Sequence, residues 1–390
     1  MNVLHATPYY APAYAFGGVV RAVEGMATTL ATRGHNVSVL TTDALSQTER
    51  YTGALETVEN GVRVLRSRNL SVWLRGRANL STPFGMRQIA RDLITWADVI
   101  HCHEFRTAEN LLVTPLAAKQ HKPLVLSPHG TLTTSTGRGM LKVWWDRLLS
   151  PAVARRFHTV IGLTTAELND VQSLWAQFGA HAEFAVVPNG VDPDAFHQTT
   201  GDNTFRARWG IGEHEKVVLF LGRLHIRKGV DVLIKAFKAA NVPDSRLVIA
   251  GPDEGMLPVI TPMLDERIIA TGYLDSEARR AALAAADLFA LPATGEGLSM
   301  AVLEAMATGL PVLISPGCNL PEVATYTAGS IVEPQVEPLK QALQSMFGDE
   351  KRLSEMGTQA RQLVLERFTW ARVAEQLEDV YRVLCYDSLG

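Results

Sequence analysis

Three cysteines in 390 residues, Cys102, Cys318 and Cys385, are too few and too scattered for a disulfide framework or a Cys-based zinc site. They fit a reducing compartment, and the cytoplasm is the expected location. No run reaches the ~18 apolar residues of a membrane span. Met1–Ala6 lacks the basic and apolar regions of a signal peptide, so none is expected. No internal repeat or low-complexity tract is present. Neither first strand-to-helix turn reads G-x-G-x-x-G, which disfavours a dinucleotide oxidoreductase. There is no overall basic excess either, since the formal net charge is −3.

What is present is an ordinary globular composition, 47% hydrophobic and 20% charged. The length exceeds one compact core, so two domains are expected. Short apolar runs alternate with helix-period segments. The first half has Val3–Ala6, Val37–Leu40, Val99–Cys102, Leu124–Ser127, Val160–Leu163 and Ala185–Pro188 as strands. A helix with Val20, Val23, Ala27 and Leu30 on one face, closed by Gly34, joins the first two strands, forming a βαβ unit. After the turn Asn189–Asp192, a second series follows: Val217–Leu221, Leu247–Ala250, Ile268–Ala270, Leu288–Leu291 and Val312–Ile314. The fold class is therefore α/β. Residues 1–190 and 191–369 form two doubly wound, Rossmann-like domains, each with its ligand side at the C-terminal strand ends, facing a central cleft. An amphipathic helix at about 370–390 is expected to pack back on the first domain.

The chemistry concentrates in the second half. Gly295-Glu296-Gly297-Leu298-Ser299 precedes an Ala-rich segment that reads as a helix from Ser299 to a Gly309 cap, with Pro311 beyond. The amides of Gly297, Leu298 and Ser299 then form an anion site at a helix start. Glu296 stands beside it, and Glu304 lies about 8 Å further along. This layout suits a sugar, a diphosphate and a ribose in a row. A capping residue and a solvated helix face are the plainer reading of two glutamates alone. Gly222-Arg223 and Lys228-Gly229 follow a strand and lead into a helix. Arg can grip a diphosphate bidentately, and Lys adds a mobile cation. Two further patterns resemble metal sites. Asp192-Pro193-Asp194 has D-x-D form, and His101-Cys102-His103-Glu104 alternates ligand types on one strand. The first reads better as loop acids and the second, lacking a third ligand, as a strand-end or acceptor-side group, so no metal site is expected.

Together with Gly17-Gly18-Val19, His129-Gly130-Thr131, Pro188-Asn189-Gly190-Val191-Asp192 and Gly272-Tyr273-Leu274, these motifs resemble family 4 of the retaining GT-B glycosyltransferases over nearly the whole chain. The resemblance implies an N-terminal acceptor domain and a C-terminal nucleotide-sugar domain. It implies that Arg223 and Lys228, beside Gly222, neutralise the departing diphosphate. Gly297, Leu298 and Ser299 give it amide donors, and Glu296 binds sugar hydroxyls. Glu304 holds the ribose, and backbone near Tyr273 and Leu274 reads the base. Gly17 and Gly18 permit close approach to donor and acceptor, and His129 positions the sugar. A metal-independent hexosyl transfer in polysaccharide biosynthesis follows, with a UDP-sugar such as UDP-glucose as co-substrate and no other cofactor. The acceptor is a glycan or lipid-linked sugar. The alternatives are a GT-B phosphorylase or epimerase, or a non-catalytic glycan-binding protein.

The charge is unevenly placed. Residues 1–190 carry 18 basic and 13 acidic side chains, or +5, and the remainder 19 and 27, or −8. Arg63, Arg66, Arg68, Arg75, Arg77, Arg87 and Arg91 fall near Trp73 and Phe84, with no acid between Glu59 and Asp92. Lys142, Arg147, Arg155 and Arg156 fall near Trp144 and Trp145. Cations interleaved with tryptophan suit an anionic membrane surface, so peripheral contact at the inner membrane face is a further expectation. A basic groove for an acidic glycan is the competing one. Nucleic acid is not an expected partner.

Overall fold

The computed structural model describes residues 1–71, 73–75, 80–132, 139–196 and 204–387. They divide into two compact units, Met1–Gly190 with Trp370–Gly390, and Val191–Thr369.

The first unit is built on a sheet of nine strands: β1 (Asn2–Ala6), β2 (Asn36–Thr42), β3 (Glu56–Glu59), β4 (Val62–Asn69), β5 (Pro83–Phe84), β6 (Val99–His103), β7 (Leu124–Ser127), β8 (Thr159–Gly162) and β9 (Glu183–Val186). Their order is β3-β4-β2-β1-β6-β7-β8-β9, with β5 against β4. Only the β3–β4 and β4–β5 pairings are antiparallel. Alternation along the buried strands separates two cores. Leu4, Ile100, Cys102, Leu124 and Leu126 pack with the helices Met86–Trp96 and Ala108–Lys119. Val3, Val99 and Val125 face the helix Gly18–Thr32 and the C-terminal helix Trp370–Asp387.

That last helix is tied down by shape and charge. The Trp370 ring fills the space where a Cβ on Gly25 or Gly190 would lie. Arg33 donates from Nε to Glu378 at 2.6 Å, and the His35 ring approaches the same carboxylate at 3.1 Å. The hydrogen bond from Arg33 holds the Glu378 carboxyl down at about 2.

Strands β3, β4 and β5 are absent from the sequence expectation. Arg63, Arg66 and Arg68 break up the apolar residues Val62, Val64 and Leu65 in β4, and the cations mask a strand pattern. Antiparallel β3 then brings acids to them from across the sheet. Arg63 pairs with Glu56 at 2.8 Å and Arg66 with Glu59 at 3.0 Å. The reading of an acid-free basic patch is corrected accordingly. Arg66 is 3% exposed and Arg75 fully buried, so neither can face a surface. Arg68, Arg87 and Arg91 are exposed, and Arg77 lies outside the described residues.

The second unit holds an all-parallel sheet: β10 (Lys216–Leu221), β11 (Ser245–Ala250), β12 (Ile268–Gly272), β13 (Leu288–Leu291), β14 (Val312–Ile314) and β15 (Gly329–Ile331), in the order β12-β11-β10-β13-β14-β15. The order reverses between β10 and β13, where such sheets open a crevice beyond the strand ends. Five of the six strands match the expected runs. The short β15 carries too little apolar sequence to be read.

Candidate functional site

In the second unit, the segments after β10 and after β13 are stitched together at that switch point. Gly251 comes so close to the Gly222 carbonyl that no Cβ fits there, which holds the loop start against β11. His225 caps the short turn Ile226–Lys228 by accepting the Arg227 N–H at 3.2 Å. Gly229 then adopts φ 67°, against the Pro292 carbonyl, a placement only glycine tolerates. The Arg227 carbonyl accepts the Thr294 N–H at 2.8 Å. This framework sets Lys228 Nζ 2.6 Å from Glu296 Oε1, each side chain 14% exposed. The Glu296 backbone is fixed in turn. Its N–H donates to Gly317 at 2.8 Å, and its carbonyl accepts from Asn319 Nδ2 at 2.6 Å.

The helix that follows Glu296 runs Met300–Thr308, with Ser299 at its N-cap and Gly309 closing it at φ 86°. The Ser299 side chain makes no capping bond. Among the described residues, no backbone carbonyl takes the N–H of Gly297 or Ser299, so these amides form the positive end of the helix. Every residue of this helix is buried. Glu304, 3% exposed, meets the guanidinium of Arg279 from the helix Ser276–Ala285. Arg223 turns elsewhere and pairs with Glu254 at 2.6 Å, with 43% of its side chain exposed. Tyr273, beyond Gly272 at φ 72° and before Leu274, is 57% exposed. The chain thus joins Lys228 to Glu296 directly and gives Arg223 and Glu304 partners of their own. Arg279, Glu254, Arg227 and Asn319 were not foreseen.

In the first unit, Gly17 (φ 97°) turns the chain into the helix that begins at Gly18. His129 follows β7 in the left-handed region, at φ 55°. A buried carboxylate fixes that turn: Glu167 accepts the Gly130 N–H at 2.6 Å and the Leu163 N–H at 2.7 Å. Burial raises the Glu167 pKa above the usual range.

The third histidine missing from the His101/His103 pattern is His5, opposite His101 in the β1–β6 register. His5, His101 and His103 bring nitrogens within 4.8 Å of one another. Their hydrogen bonds argue against a metal centre. His5 Nδ1 lies 2.8 Å from His103 Nε2, and His103 Nδ1 lies 2.9 Å from His129 Nε2. His101 meets Tyr381 Oη at 2.7 Å and Ser127 Oγ at 2.8 Å. Five of their six ring nitrogens are therefore engaged. Burial pushes His129 down to about 4 and His5 to about 3, so these rings are neutral at pH 7. The other candidate, Asp192, accepts the Asp194 N–H at 3.0 Å within its own turn.

A parallel sheet places this cation–carboxylate pair at its switch point, where α/β folds of this kind bind ligands. The comparisons narrow the reading. Residues 16–195 match the model of Glycosyltransferase Family 4, and residues 201–363 that of Glycosyl transferases group 1. A GDP-mannose-dependent alpha-(1-6)-phosphatidylinositol monomannoside mannosyltransferase of Mycolicibacterium smegmatis is 30% identical over 289 residues, 68% of this chain and 73% of that one. The monoacylated-substrate mannosyltransferase of Corynebacterium glutamicum is 32% identical over 217 residues, which span 57% of its length. Anabaena HepE, solved with UDP and glucose, superposes with a TM-score of 0.76 at 20% identity, covering 98% of this chain and 100% of that one. The chain belongs to glycosyltransferase family 4 and has the GT-B fold. It is a glycosyltransferase.

Proposed function

We propose that the protein is a retaining, metal-independent transferase that moves a hexose from a nucleoside-diphosphate sugar to a glycan or lipid-linked acceptor. The observation that carries this reading is the Lys228–Glu296 pair beside the open amides of Gly297 and Ser299. Without ligand, each charge satisfies the other. A bound donor splits the pair usefully. Its diphosphate takes Lys228 and the amides, and its sugar hydroxyls take Glu296. As the anomeric carbon–oxygen bond breaks, its electron pair goes to the phosphate oxygen, where Lys228 and the amide dipoles are already in place and where Arg223 joins them on leaving Glu254. The acceptor hydroxyl bonds to the anomeric carbon, and its proton passes to the departing phosphate. Glu304, paired with Arg279 further along the helix, takes the ribose in this reading. The same cations make a divalent ion unnecessary.

Donor identity is carried less far. The two mannosyltransferases named above are GDP-mannose-dependent, and the HepE complex holds UDP and glucose. UDP-glucose and GDP-mannose therefore head the panel. For the acceptor, exposed Trp73, Phe84, Val143, Trp144 and Leu148 lie in segments that also carry exposed Arg87, Arg91 and Arg147. That mixture supports a lipid-linked acceptor met at an anionic membrane surface. Among the described residues, no helix is long and apolar enough to cross a membrane. The test is a thermal-shift panel of nucleotide-sugars, followed by product analysis with and without EDTA. One donor should stabilise the protein with EDTA present, and the product should keep the donor's anomeric configuration. An inverted product, or activity lost to EDTA and restored by manganese, overturns the reading.

A further inference from the structure

We propose that His5 and His103 are positioning residues that hold the free nitrogen of His129 as a hydrogen-bond donor through two consecutive imidazole contacts. The functional consequence rests on His129 touching the donor sugar. The wire itself does not.

Topology builds the wire. His5 lies in the buried part of β1, one residue before its end, and His103 ends the neighbouring β6. His129 lies two residues past Ser127, the register partner of His103. The rings of His5 and His103 stack at 5.1 Å and 16°, and those of His103 and His129 at 5.2 Å and 26°. The contacts run His5 Nδ1 to His103 Nε2 at 2.8 Å, and His103 Nδ1 to His129 Nε2 at 2.9 Å. The two end atoms, His5 Nε2 and His129 Nδ1, are buried without a partner.

Proton counting then fixes an all-or-none polarity. Three neutral imidazoles carry three N–H groups. Two contacts each require one proton, no more and no less. The third proton must sit at one end. If it sits on His129 Nδ1, then His5 donates to His103 and His103 donates to His129. If it sits on His5 Nε2, every bond reverses and His129 Nδ1 becomes a bare lone pair. His5 and His103 are fully buried, whereas His129 is 9% exposed. A buried N–H without an acceptor is rarer than a buried acceptor without a donor. Neither end atom is open to water, but only His129 keeps exposed surface through which an arriving sugar oxygen can reach it. The proton therefore belongs on His129 Nδ1.

Burial supports the proton count by depressing all three pKa values, so the wire holds no extra proton near neutrality. His101 stands outside the wire. Its partners are the hydroxyls of Tyr381 and Ser127, which rotate to suit either tautomer and impose none. The consequence at His129 is specific. An Nδ1–H can donate to a sugar oxygen but has no lone pair with which to attack the anomeric carbon. The wire excludes His129 as a nucleophile.

His5 variants separate these ideas, because Asn Nδ2 occupies the place of His Nδ1. Asn at position 5 can still donate to His103. Leu cannot, and an ionised Asp can only accept. The primary measurement is long-range 1H–15N correlation of 15N-histidine-labelled protein, with His129 assigned by its absence from His129→Asn. Wild type should show the Nδ1–H tautomer of His129, and His5→Asn should retain it. His5→Leu should give a mixture and His5→Asp the Nε2–H form. An Nε2–H tautomer in wild type, a measurement that needs no variant fold, overturns the proposal. So does an unchanged His129 signal in both His5→Leu and His5→Asp. The second measurement is kcat against KM for donor hydrolysis. His5→Asp should lower kcat about tenfold, the worth of one hydrogen bond, with donor KM little changed. His5→Asn should stay within about threefold. If the tautomer inverts and kcat does not move, the wire stands and the placement of His129 against the sugar is refuted.

Discussion

The four buried histidines make the first unit sensitive to acid, and the size of the effect follows from their environment. An ordinary histidine titrates near 6.5, so at pH 5.5 an unfolded chain holds about 0.9 proton on each. In the folded protein His129 is pushed down to about 4 and His5 to about 3, and burial holds His101 and His103 well below 6.5. The unfolded state therefore binds more protons. Stability is fully present above pH 6.5 and falls as the pH drops toward the folded values. Each ring contributes a slope of about 1.2 kcal/mol per pH unit near pH 5.5, and four contribute about 5. Buried carboxylates act in the opposite sense. Glu109, pushed up to about 7 by burial, takes up its proton on folding and removes about one ring's worth. Glu167 is raised as well. The expected net loss is about 2–4 kcal/mol per unit between pH 6 and 5. Urea unfolding followed by tryptophan fluorescence suits the measurement. Six of the seven tryptophans lie in the first unit, and only Trp209 lies in the second. His5→Asn should lower the slope by about one ring. A flat stability between pH 6.5 and 5, or equal slopes in the two proteins, would show that the rings are not held neutral.

Lys228→Ala should lower kcat by about two orders of magnitude, as loss of a preorganised charge does, and steady-state kinetics showing near-normal turnover would remove it from the leaving-group site. Glu304→Gln should weaken free nucleotide by about 1.5–3 kcal/mol, whereas Glu296→Gln should spare free nucleotide and impair transfer. Equal losses in calorimetry would refute that division of roles. Glu378→Gln should cost about 2–3 kcal/mol of first-unit stability at pH 7, since its depressed pKa marks stabilisation present above about 4.5 and lost as pH falls through about 2. Matching urea midpoints for the two proteins would refute it. Binding to anionic vesicles should fall with salt and weaken when Trp73, Trp144 and Arg147 are replaced together. Equal recovery in the supernatant with neutral and anionic vesicles at low salt would exclude the membrane surface.

The sequence revealed parallel strands such as β1, β6, β7, β10 and β13 because they are buried along most of their length and read as apolar runs. It hid β4 because Arg63 on one face and Arg66 and Arg68 on the other interrupt its apolar run, and an antiparallel neighbour supplies acids to Arg63 and Arg66. Counting charge along the chain therefore misjudged residues 60–91. Arg66 reaches Glu59 and the Ala11 carbonyl, and Arg75 donates to the Gln47 carbonyl, partners that only the folded sheet brings near. The helix over Met300–Thr308 was legible at both ends because glycine and proline mark its limits in the sequence itself.

The site was legible where its residues are neighbours in sequence. Glu296, Gly297 and Ser299 read as a candidate anion site because the helix start that would build one lies within a few consecutive residues. Lys228 belongs beside Glu296 only because Gly229 passes under the Pro292 carbonyl, a contact between two strand ends that no spacing rule expresses. The histidines show the same limit more sharply. His101 and His103 were weighed as ligands lacking a third member, and the third member was 96 residues upstream, in the next strand of the sheet. Even with His5 supplied, ligand count alone would still favour a metal. What decides against it is the pairing of individual nitrogens: His101 is spent on Tyr381 and Ser127, and His103 on its two neighbours. A cluster of ligand types becomes a metal site only when its lone pairs converge on one point. Here they are used in series, and a series of imidazoles transmits a proton position rather than holding an ion.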